Sequence, residues 1–499
     1  MQNKNRKPVD IQIYDVSKCF DKLEYVTTAN DLYNAGVQDY RFVLIANSNR
    51  NCNLAIKTPW GSTTKRTMLN NIEMQGTVLA PLKCSLSIDS IGKESLQNVH
   101  EVMYTYKNCG SIPPLSLIDD IIAVSECSTD SVEMNAVIEA KIAGKQLKLG
   151  YDKCFQMHVG KNAICCPGLN VENREILKTD KEKYLGDILS SNAKVDANVL
   201  FRYNKGVGIV NQIIGMLKEV SFGHHYFEMA LLFRDSMLIN GMLCSVETLY
   251  GLTNSHIEQL EQCDRMLMRR LFNSVSSTAI EAFYIETGMI LPLRFTIIAR
   301  RLMYLWTILQ KSDGELVKKV YEAQKLSPVK NDWSTQVEQD LKYCKIDFTE
   351  EEIKSMKKSK FKKIVQDSIK STGIEYLLSL KAKHSKSDGL NPNLSIQKYL
   401  SVSELTVDEK QLLFQFCTRT FNCRENFKNK YGSDLTCFAC KGEDTQQHLL
   451  NNCTVSAGIN TDDCAYEDIF GSVQKQIKIC KVLKKIASKR NLLMKKSSM

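Results

Sequence analysis

Residues 115–124 form an aliphatic run that two adjacent carboxylates interrupt, and this run limits the possible fold more than any other segment. Asp119 and Asp120 stand between Ile118 and Ile121. An aliphatic run with a polar break predicts a buried β-hairpin, and adjacent carboxylates in such surroundings are costly unless a cation compensates them. Two interpretations remain open: a tight turn that exposes both aspartates to water, or a site for a hard divalent ion such as Mg²⁺.

The first 190 residues alternate strand-like and helix-like segments. Residues 9–14 are rich in β-formers, whereas residues 22–35, 78–91 and 131–148 have helical patterns. Such an alternation predicts an α+β fold, with an antiparallel sheet that carries helices on one face.

Helical patterns dominate after about residue 190. Residues 222–243, 256–272 and 291–310 are predicted helices, and Thr349 begins a capping-box pattern that opens another. Residues 385–395 are polar and contain glycine, proline and several serines, so they are predicted to be a linker. Four arginines lie in the predicted helices, where they could contact a phosphate backbone: Arg269, Arg270, Arg300 and Arg301.

The charge of the chain favours an anionic partner. The formal net charge is +10, and residues 471–499 contain nine basic residues and no acidic one. Such a run is typical of nucleic-acid contact, although a solvated, partly disordered tail would have the same composition. Residues 354–363 form a second basic cluster with the same two interpretations, a solvated helix face or a nucleic-acid contact.

The chain's 18 cysteines are scattered through a long sequence that has no secretory signal. Reduced thiols, and therefore the nucleus or the cytoplasm, are the better interpretation. The most apolar segment, residues 229–243, is too short to span a bilayer, so no membrane partner is expected.

One group of cysteines has the spacing of a metal site, C-x2-C-x7-H-x4-C. Its members are Cys437, Cys440, His448 and Cys453. Three thiolates and one imidazole form a closed tetrahedral zinc site without an open catalytic position. The sequence therefore predicts one structural Zn²⁺, and a short helix beginning near His448 would return Cys453 to the metal.

A third acidic residue, Asp15, directly follows the β-rich residues 9–14. Together with Asp119 and Asp120 it would suit nucleotidyl transfer. In that chemistry two metal ions roughly 3.5–4 Å apart activate an attacking 3′-hydroxyl and stabilise the leaving pyrophosphate.

Five short segments resemble motifs of reverse transcriptases, in the same order along the chain. They are residues 15–21, Gln75-Gly76 with Pro81, residues 118–120, residues 147–153 and residues 183–189. Each is weak by itself, but their common order is specific. Residues 249–251 and 263–270 extend the resemblance to reverse transcriptases of LINE (non-LTR) retrotransposons, and it continues to the cysteine motif.

The resemblance implies a metal-dependent site. Asp15, Asp119 and Asp120 would hold two Mg²⁺ ions, with the backbone carbonyl of Val16 as an added ligand. Lys153 would protonate pyrophosphate or neutralise its charge, although an exposed lysine is an alternative interpretation.

The resemblance also implies substrate contacts. Phe20 would be the steric gate that excludes a 2′-hydroxyl and so selects dNTPs; an ordinary core aromatic is the alternative. Gln75 and Gly76 would lie against the template and the incoming base pair, or they would simply form a bend before a helix. The primer grip would consist of Tyr184, Leu185 and Gly186.

The chain departs from the family pattern at several positions. Leu117 replaces the usual aromatic, Ile118 a small residue and Met74 an often basic one, but none of these supplies a metal ligand. The family also has a fingers subdomain before the first palm motif, and this sequence begins only fourteen residues before Asp15. We therefore expect a fragment, a truncated gene model or a decayed element, and no robust polymerase activity from this chain by itself.

These observations predict an RNA-directed DNA polymerase with a right-hand palm, a helical thumb and connector, and a zinc knuckle. Its partners would be an RNA template, a DNA primer or target DNA, and dNTPs. The predicted regions are 1–190 for the palm, 191–330 for the thumb, 331–430 for the connector, 431–470 for the knuckle and 471–499 for a basic tail. The alternatives are a non-catalytic nucleic-acid-binding remnant and a zinc-binding protein that interacts with other proteins.

Overall fold

The chain folds into two compact units in a computed structural model. Unit 1 comprises Met1–Asn198 and Lys311–Lys330, and unit 2 comprises Val199–Gln310 and Asn331–Met499. The structure describes residues 9–49, 52–55, 57–62, 67–69, 77–98, 103–107, 109–126, 128–160, 167–220, 222–459, 461 and 464–497. The finer division into palm, thumb, connector and knuckle stays a prediction.

The strands of the described residues all lie in unit 1. They are β1 Val9–Asp15, β2 Cys52–Leu54, β3 Lys57–Thr58, β4 Gly61–Ser62, β5 Thr67–Leu69, β6 Leu115–Leu117, β7 Asp120–Ser125, β8 Phe155–Val159, β9 Asn170–Val171, β10 Arg174–Glu175, β11 Leu177–Lys178, β12 Lys181–Tyr184 and β13 Asp187–Ser190. The predicted strand at residues 9–14 and the predicted hairpin at residues 115–124 are both confirmed.

A five-stranded sheet organises unit 1, in the order β11-β8-β1-β7-β6. The central strand β1 pairs antiparallel with both β7 and β8, as the predicted α+β fold requires. The edge strand β11 instead pairs parallel with β8, so the prediction of a wholly antiparallel sheet is wrong there. Leu177 pairs with Phe155, the first residue of β8, and Lys178 pairs with Gln156. Both strands therefore run in the same direction from that end of the sheet.

Among the described residues, the helices of unit 1 are α1 Cys19–Lys22, α2 Tyr25–Asn34, α3 Asp39–Ala46, α4 Ala80–Asn98, α5 Ser128–Gly144 and α12 Leu316–Leu326. Side chains alternate between the two faces of β1 and β7, so every second residue points toward α4 and α5. Tyr14 and Ile121 on that face share a buried core with Ile88 of α4 and Ile138 of α5.

Polar side chains also lie within this core face, and they are hydrogen-bonded, as burial demands. The buried Tyr14 hydroxyl donates to Asn135 Oδ1 at 2.9 Å, and Gln12 Nε2 donates to Ser125 Oγ at 3.3 Å. These bonds fix the register of β1 against β7 and α5. The opposite face of β1 carries Asp15.

The remaining helices belong to unit 2, except that the first of them begins in the last residues of the first segment of unit 1. They are α6 Asp196–Glu219, α7 Tyr226–Phe233, α8 Asn240–Met242, α9 Asn254–Leu271, α10 Ile280–Glu286, α11 Leu293–Leu309, α13 Trp333–Tyr343, α14 Glu350–Ser355, α15 Lys358–Lys381, α16 Lys398–Ser401, α17 Val407–Cys417, α18 Lys428–Tyr431, α19 Gln446–Asn451 and α20 Val473–Ser497. The predicted capping box is confirmed, since Thr349 Oγ1 accepts the Glu352 backbone N–H at 3.3 Å. None of the helices in the described part of the chain combines the length and apolar character that crossing a membrane requires.

The helix predicted at residues 222–243 runs without a break from Tyr226 to Met242, with a π-helical segment, Arg234–Ile239, between α7 and α8. Arg234 is buried there, and its guanidinium forms two hydrogen bonds of 2.6 and 2.7 Å to the Asp264 carboxylate. Tyr284 donates to the same carboxylate at 2.9 Å. This network stabilises the interior of unit 2 by pairing its charges.

Two expectations for unit 2 are wrong, and the structure refines a third. Arg301 is buried and pairs with Asp340 at 2.8 Å, so it is not available to a phosphate. Residues 385–395 are not a linker, because Ser387 and Leu390 are buried within the unit. Residues 471–499 are not merely a basic tail, because most of them form α20, which has a buried apolar face.

Candidate active site and metal centre

The hairpin of β6 and β7 carries two of the three candidate aspartates. Leu117 pairs with Asp120, so Ile118 and Asp119 form a two-residue turn between the strands. Ile118 has a φ of +59°, a backbone conformation that β-branched residues rarely adopt. The turn is therefore strained, and strain of this kind persists only where the surrounding structure imposes it.

Strand β1 brings Asp15 directly opposite Asp120. The two residues are register partners in the antiparallel ladder, and partners of this kind project their side chains to the same face. The backbone N–H of Val16 donates to the carbonyl oxygen of Asp119 at 2.9 Å. Distant parts of the sequence thus meet at one end of the sheet, on the face opposite α4 and α5.

The three aspartates affect one another electrostatically. Partial burial raises the pKa of Asp120, and the negative charges of Asp119 and Asp15 raise it further. A negative charge close to a carboxyl group favours its protonated form, and a nearby cation has the opposite effect. A nearby cation is Lys153, which opposes the rise in the pKa of Asp120.

Lys153 ends a single 3₁₀ turn at residues 151–153, and its Nζ donates to Asp15 Oδ1 at 3.1 Å. The lysine side chain is 71% exposed, whereas that of Asp15 is 15% exposed. This hydrogen bond to Asp15 raises the pKa of Lys153, with smaller contributions from Asp119 and Asp120. The ammonium group is therefore firmly charged beside the carboxylates.

Gly150 also contacts Asp15, a feature that the sequence patterns did not single out. Its backbone N–H donates to the Asp15 carbonyl oxygen at 2.8 Å. A Cβ at this position would lie 2.9 Å from Asp15 Oδ2, closer than van der Waals contact permits. The glycine allows the 3₁₀ turn to approach the carboxylate. The only sequence feature that could have indicated this contact is the position of Gly150, three residues before Lys153.

A second hairpin lies close to this site. Strands β12 and β13 pair Tyr184 with Asp187, so Leu185 and Gly186 form the turn, with φ values of +48° and +89°. Two positive φ values suit the twist of a two-residue hairpin. Burial raises the pKa of Tyr184 to about 12, and the negative charge of Asp120 contributes. Tyr184 is therefore near enough to Asp120 for their charges to interact.

The other predicted substrate contacts have different outcomes. Phe20 lies in α1 and is half-buried against the apolar core of unit 1, so both of its interpretations remain open. Gln75 and Gly76 lie outside the residues that the structure describes, as does Met74.

The predicted zinc ligands converge in unit 2. The four residues are Cys437, Cys440, His448 and Cys453, and their ligand atoms all lie within 4.8 Å of one another. Cys453 Sγ is 3.7 Å from Cys437 Sγ and 3.8 Å from Cys440 Sγ. A tetrahedral zinc ion with Zn–S bonds of about 2.3 Å separates two sulfur ligands by about 3.8 Å. The donor set therefore fits zinc in both chemistry and size.

Local hydrogen bonds build this cluster, which we call the knuckle (residues 437–453). The Cys437 N–H donates to the Gly442 carbonyl at 2.6 Å, closing the first turn. A Cβ on Gly442 would lie 2.9 Å from the His448 ring, so only glycine permits the turn to close over that ligand. Thr445 caps α19 by accepting the His448 N–H at 3.0 Å, which confirms the predicted short helix.

The knuckle and the three aspartates differ in whether their side chains could hold a single metal ion. Among the residues that the structure describes, the knuckle is the only group of three or more His, Cys, Asp or Glu side chains with all ligand atoms within 4.8 Å. Asp15, Asp119 and Asp120 are not such a group. A pair of ions bridged by carboxylates needs a wider set of donors than a single tetrahedral ion does.

Comparisons with known proteins supply no family assignment, since no family model and no curated protein matches the chain. Three solved structures of telomerase show a weak likeness. Apo telomerase from Candida tropicalis is 10% identical, with a TM-score of 0.28 over 84% of this chain and 52% of that chain.

The other two are telomerases in complex with the TWJ fragment of telomeric RNA. The one from Candida albicans is 13% identical, with a TM-score of 0.32 over 66% of this chain and 50% of that chain. The one from Candida tropicalis is 11% identical, with a TM-score of 0.33 over 76% of this chain and 50% of that chain. The chain thus spans about half the length of these structures. TM-scores this low do not define a shared arrangement, so the function is argued from the site itself.

Proposed function

We propose that unit 1 contains the nucleotidyl-transfer site of an RNA-directed DNA polymerase of the LINE (non-LTR) retrotransposon type. The observation that carries this proposal is the cross-strand pairing of Asp15 with Asp120, beside a strained turn that holds Asp119. In a surface turn without a functional role, each aspartate would be exposed to water and would have no other carboxylate opposite it. Here a second strand brings a third carboxylate opposite Asp120, and partial burial together with the charges of Asp119 and Asp15 raises the pKa of Asp120.

The residues fit a pair of Mg²⁺ ions. Asp15, Asp119 and Asp120 would hold them, with the Val16 carbonyl as an added ligand, because Mg²⁺ prefers a few carboxylates and fills its shell with water and phosphate oxygens. When bound, the ions supply charge stabilisation for the attacking hydroxyl and the leaving pyrophosphate.

Neighbouring side chains would contact the substrates. Lys153 is a charged, exposed donor 3.1 Å from Asp15, suitably placed to neutralise pyrophosphate. Tyr184, Leu185 and Gly186 form a rigid turn that would support the primer end, and Phe20 would discriminate against ribonucleotides. The substrates are then dNTPs, a DNA primer and an RNA template, with nicked target DNA as a further partner, in the nucleus or cytoplasm.

The knuckle would hold one Zn²⁺ as a structural ion. Its four protein ligands leave no open coordination position, so it would contribute to folding and to nucleic-acid contact rather than to the chemistry.

Primer extension tests the polymerase assignment. We would measure dNTP incorporation on a primed RNA template with Mg²⁺, using this chain and a version extended upstream through a fingers subdomain. The Asp119→Asn variant should abolish incorporation, whereas Asp313→Asn, at an exposed aspartate of unit 1, should not change it. Incorporation that survives Asp119→Asn in the extended chain would overturn the assignment.

A second candidate function is nucleic-acid binding without catalysis, which the basic helix α20 favours. It predicts that both versions bind primed RNA tightly and that neither incorporates dNTPs. A third outcome, capture of protein partners that survives nuclease treatment with no nucleic-acid binding, would indicate a zinc-dependent protein-interaction module.

A further inference from the structure

Helix α20 is amphipathic, and its two faces have opposite environments. Ile479, Leu483 and Ile486 are fully buried, and the helix packs against α17. Positions four and three apart lie on one side of a helix, so these residues form a continuous apolar stripe. The lysines between positions 475 and 489 are not buried and lie on the other sides of the helix, whereas Arg490, four residues after Ile486, continues the buried stripe.

One basic residue of α20 does not reach solvent. Arg490 is 3% exposed, and its two terminal nitrogens donate to both oxygens of Asp444, at 2.9 and 2.7 Å. Asp444 is fully buried and lies within the knuckle, between Cys440 and His448. A bidentate pair of this kind is directional and strong, and removing one partner would leave a buried charge uncompensated.

Further interactions tie this pair, which we call the clasp (Arg490 with Asp444), to the knuckle. The Arg490 guanidinium lies 4.8 Å from the ring centre of Phe438, which stands between the first two ligands. Asp444 Oδ2 also accepts the Arg424 backbone N–H at 2.9 Å, and the Asp444 N–H donates to the Leu435 carbonyl at 2.6 Å. The position of α20 therefore depends on the turn that the zinc ligands hold.

Two lysines of α20 form salt bridges with acidic residues of the same unit, and the charges of Lys478 and Lys481 contribute to lowering the pKa of Asp468 and of Glu404. Lys475 Nζ lies 2.7 Å from Asp468 Oδ1, and Lys484 Nζ lies 3.4 Å from Glu409 Oε1. Lys478, Lys481 and Lys485 are exposed and spaced three and four residues apart, so they project from one side of the helix over about 10 Å. We call these three residues the lysine ridge.

The ridge has the chemistry of a duplex-binding surface. Proteins that bind single strands without sequence preference usually offer aromatic platforms for the bases, and residues 473–497 contain no aromatic residue. Lysines alone bind phosphates through charge and counterion release, which a continuous double-stranded backbone supplies most densely.

We propose that the lysine ridge of α20 binds the phosphate backbone of a nucleic-acid duplex, and that zinc at the knuckle sets its position through the clasp. The ridge binds the duplex without reading its sequence. This site is separate from the three aspartates, so it is testable whether or not the chain polymerises DNA.

The binding test uses the full chain and a fluorescent duplex DNA, with fluorescence anisotropy measured over a range of salt concentrations. Lys478→Gln, Lys481→Gln and Lys485→Gln combined should weaken binding at least about tenfold at low salt. They should also reduce the slope of log K against log salt by about three, because each lysine neutralises one phosphate.

A matched control removes the same charge from other helices of unit 2, through Lys342→Gln, Lys370→Gln and Lys398→Gln, all exposed and outside the basic cluster at residues 354–363. The proposal predicts that this variant keeps most of the affinity and slope. Equal reductions of affinity in both triple variants would mean that net charge alone drives binding, and would overturn the proposal. Tighter binding of single-stranded RNA than of duplex, abolished by the same three α20 substitutions, would overturn the choice of partner.

The coupling test combines zinc removal with the clasp. Chelation should lower the duplex affinity of the unmodified chain, and Asp444→Asn should lower it to a similar extent while zinc content, measured by mass spectrometry, is retained. In the triple α20 variant, chelation should have little further effect. A large fall in affinity on chelation in that variant would assign duplex binding to the knuckle itself and overturn the coupling.

Discussion

The three-aspartate site of unit 1 and the knuckle of unit 2 are both candidate metal sites, but they are built in opposite ways. The aspartates come from two strands and a turn that are far apart in sequence, whereas all four knuckle ligands lie within residues 437–453. The aspartates repel one another next to a strained turn, while the knuckle is closed by backbone hydrogen bonds and the clasp.

This difference indicates how each site would affect the stability of the folded state. Under the proposed function, the like charges of unit 1 disfavour the folded state until Mg²⁺ and a phosphate group bind. With zinc bound, the knuckle would gain stability from the metal and would offer no open position for chemistry. Changes at the first site should therefore alter activity, and changes at the second should alter folding.

The largest expected effect follows from removing the zinc. Metal binding at such sites contributes on the order of 10 kcal/mol of apparent folding free energy. Cys453→Ser or chelation should thus expose the amide hydrogens of residues 437–453 to exchange, while those of β1 and β7 stay protected. Hydrogen exchange with mass spectrometry measures this. Unchanged protection of the knuckle after chelation would break the contrast.

The second largest effect is expected at the three-aspartate site, where a substitution should change activity and leave stability nearly unchanged. Asp120→Asn should lower primer extension by on the order of a thousandfold, about 4 kcal/mol, because a metal ligand is removed. Its melting temperature should be equal or slightly higher, since burial and the neighbouring charges raise the pKa of Asp120. Primer extension and calorimetry test both parts, and a clear fall in melting temperature would indicate a structural role instead.

A buried acid in unit 2 sharpens the comparison, because its pKa is raised by burial alone. Burial raises the pKa of Glu286 to about 7, although the Tyr399 hydroxyl donates to it at 2.5 Å and opposes the rise. The folded state then binds more protons than the unfolded state between about pH 4.5 and 7. The free energy of unfolding should fall by up to ~3 kcal/mol as pH rises across that window.

Glu286→Gln should remove this pH dependence and raise stability at pH 8, because the amide is neutral and can still accept from Tyr399. Denaturant unfolding at several pH values measures it. The exposed Glu338→Gln in the same unit serves as the control. Identical pH slopes for the two variants would refute the assignment.

The smallest expected effect concerns Gly150. An added Cβ would lie 2.9 Å from Asp15 Oδ2, so Gly150→Ala should rotate that carboxylate and lower primer extension about tenfold, or about 1.4 kcal/mol. Gly144→Ala, where a Cβ would meet nothing within 4 Å, is the matched control. Equal activities of the two variants would mean that Asp15 tolerates movement.

Much of unit 1 was predictable from periodicity. The aliphatic run at residues 115–124 predicted the hairpin, and the β-rich residues 9–14 predicted β1. The pairing of Asp15 with Asp120 was not, because register depends on interactions between distant segments. Only the resemblance to a family suggested it. The close approach of Gly150 depends on the same tertiary arrangement.

The knuckle was more predictable because its ligands are close in sequence, so their spacing alone gives the geometry. The nature of residues 471–499 was missed for a different reason. Counting charges does not distinguish Arg490 from the lysines around it. The spacing of Ile479, Leu483 and Ile486 was the signal that indicated a helix with a buried side. No spacing rule predicts that an arginine 46 positions away would pair with Asp444.

The clasp has a practical consequence for anyone who shortens the chain. A protein trimmed a few residues before Arg490 would retain all four zinc ligands and, judged by its metal content, would look intact. It would nevertheless carry a buried, unpaired Asp444 and lack the last turns of α20. Trimming at the flanks of the cysteine motif therefore cuts through the module, whose true boundary lies beyond Arg490.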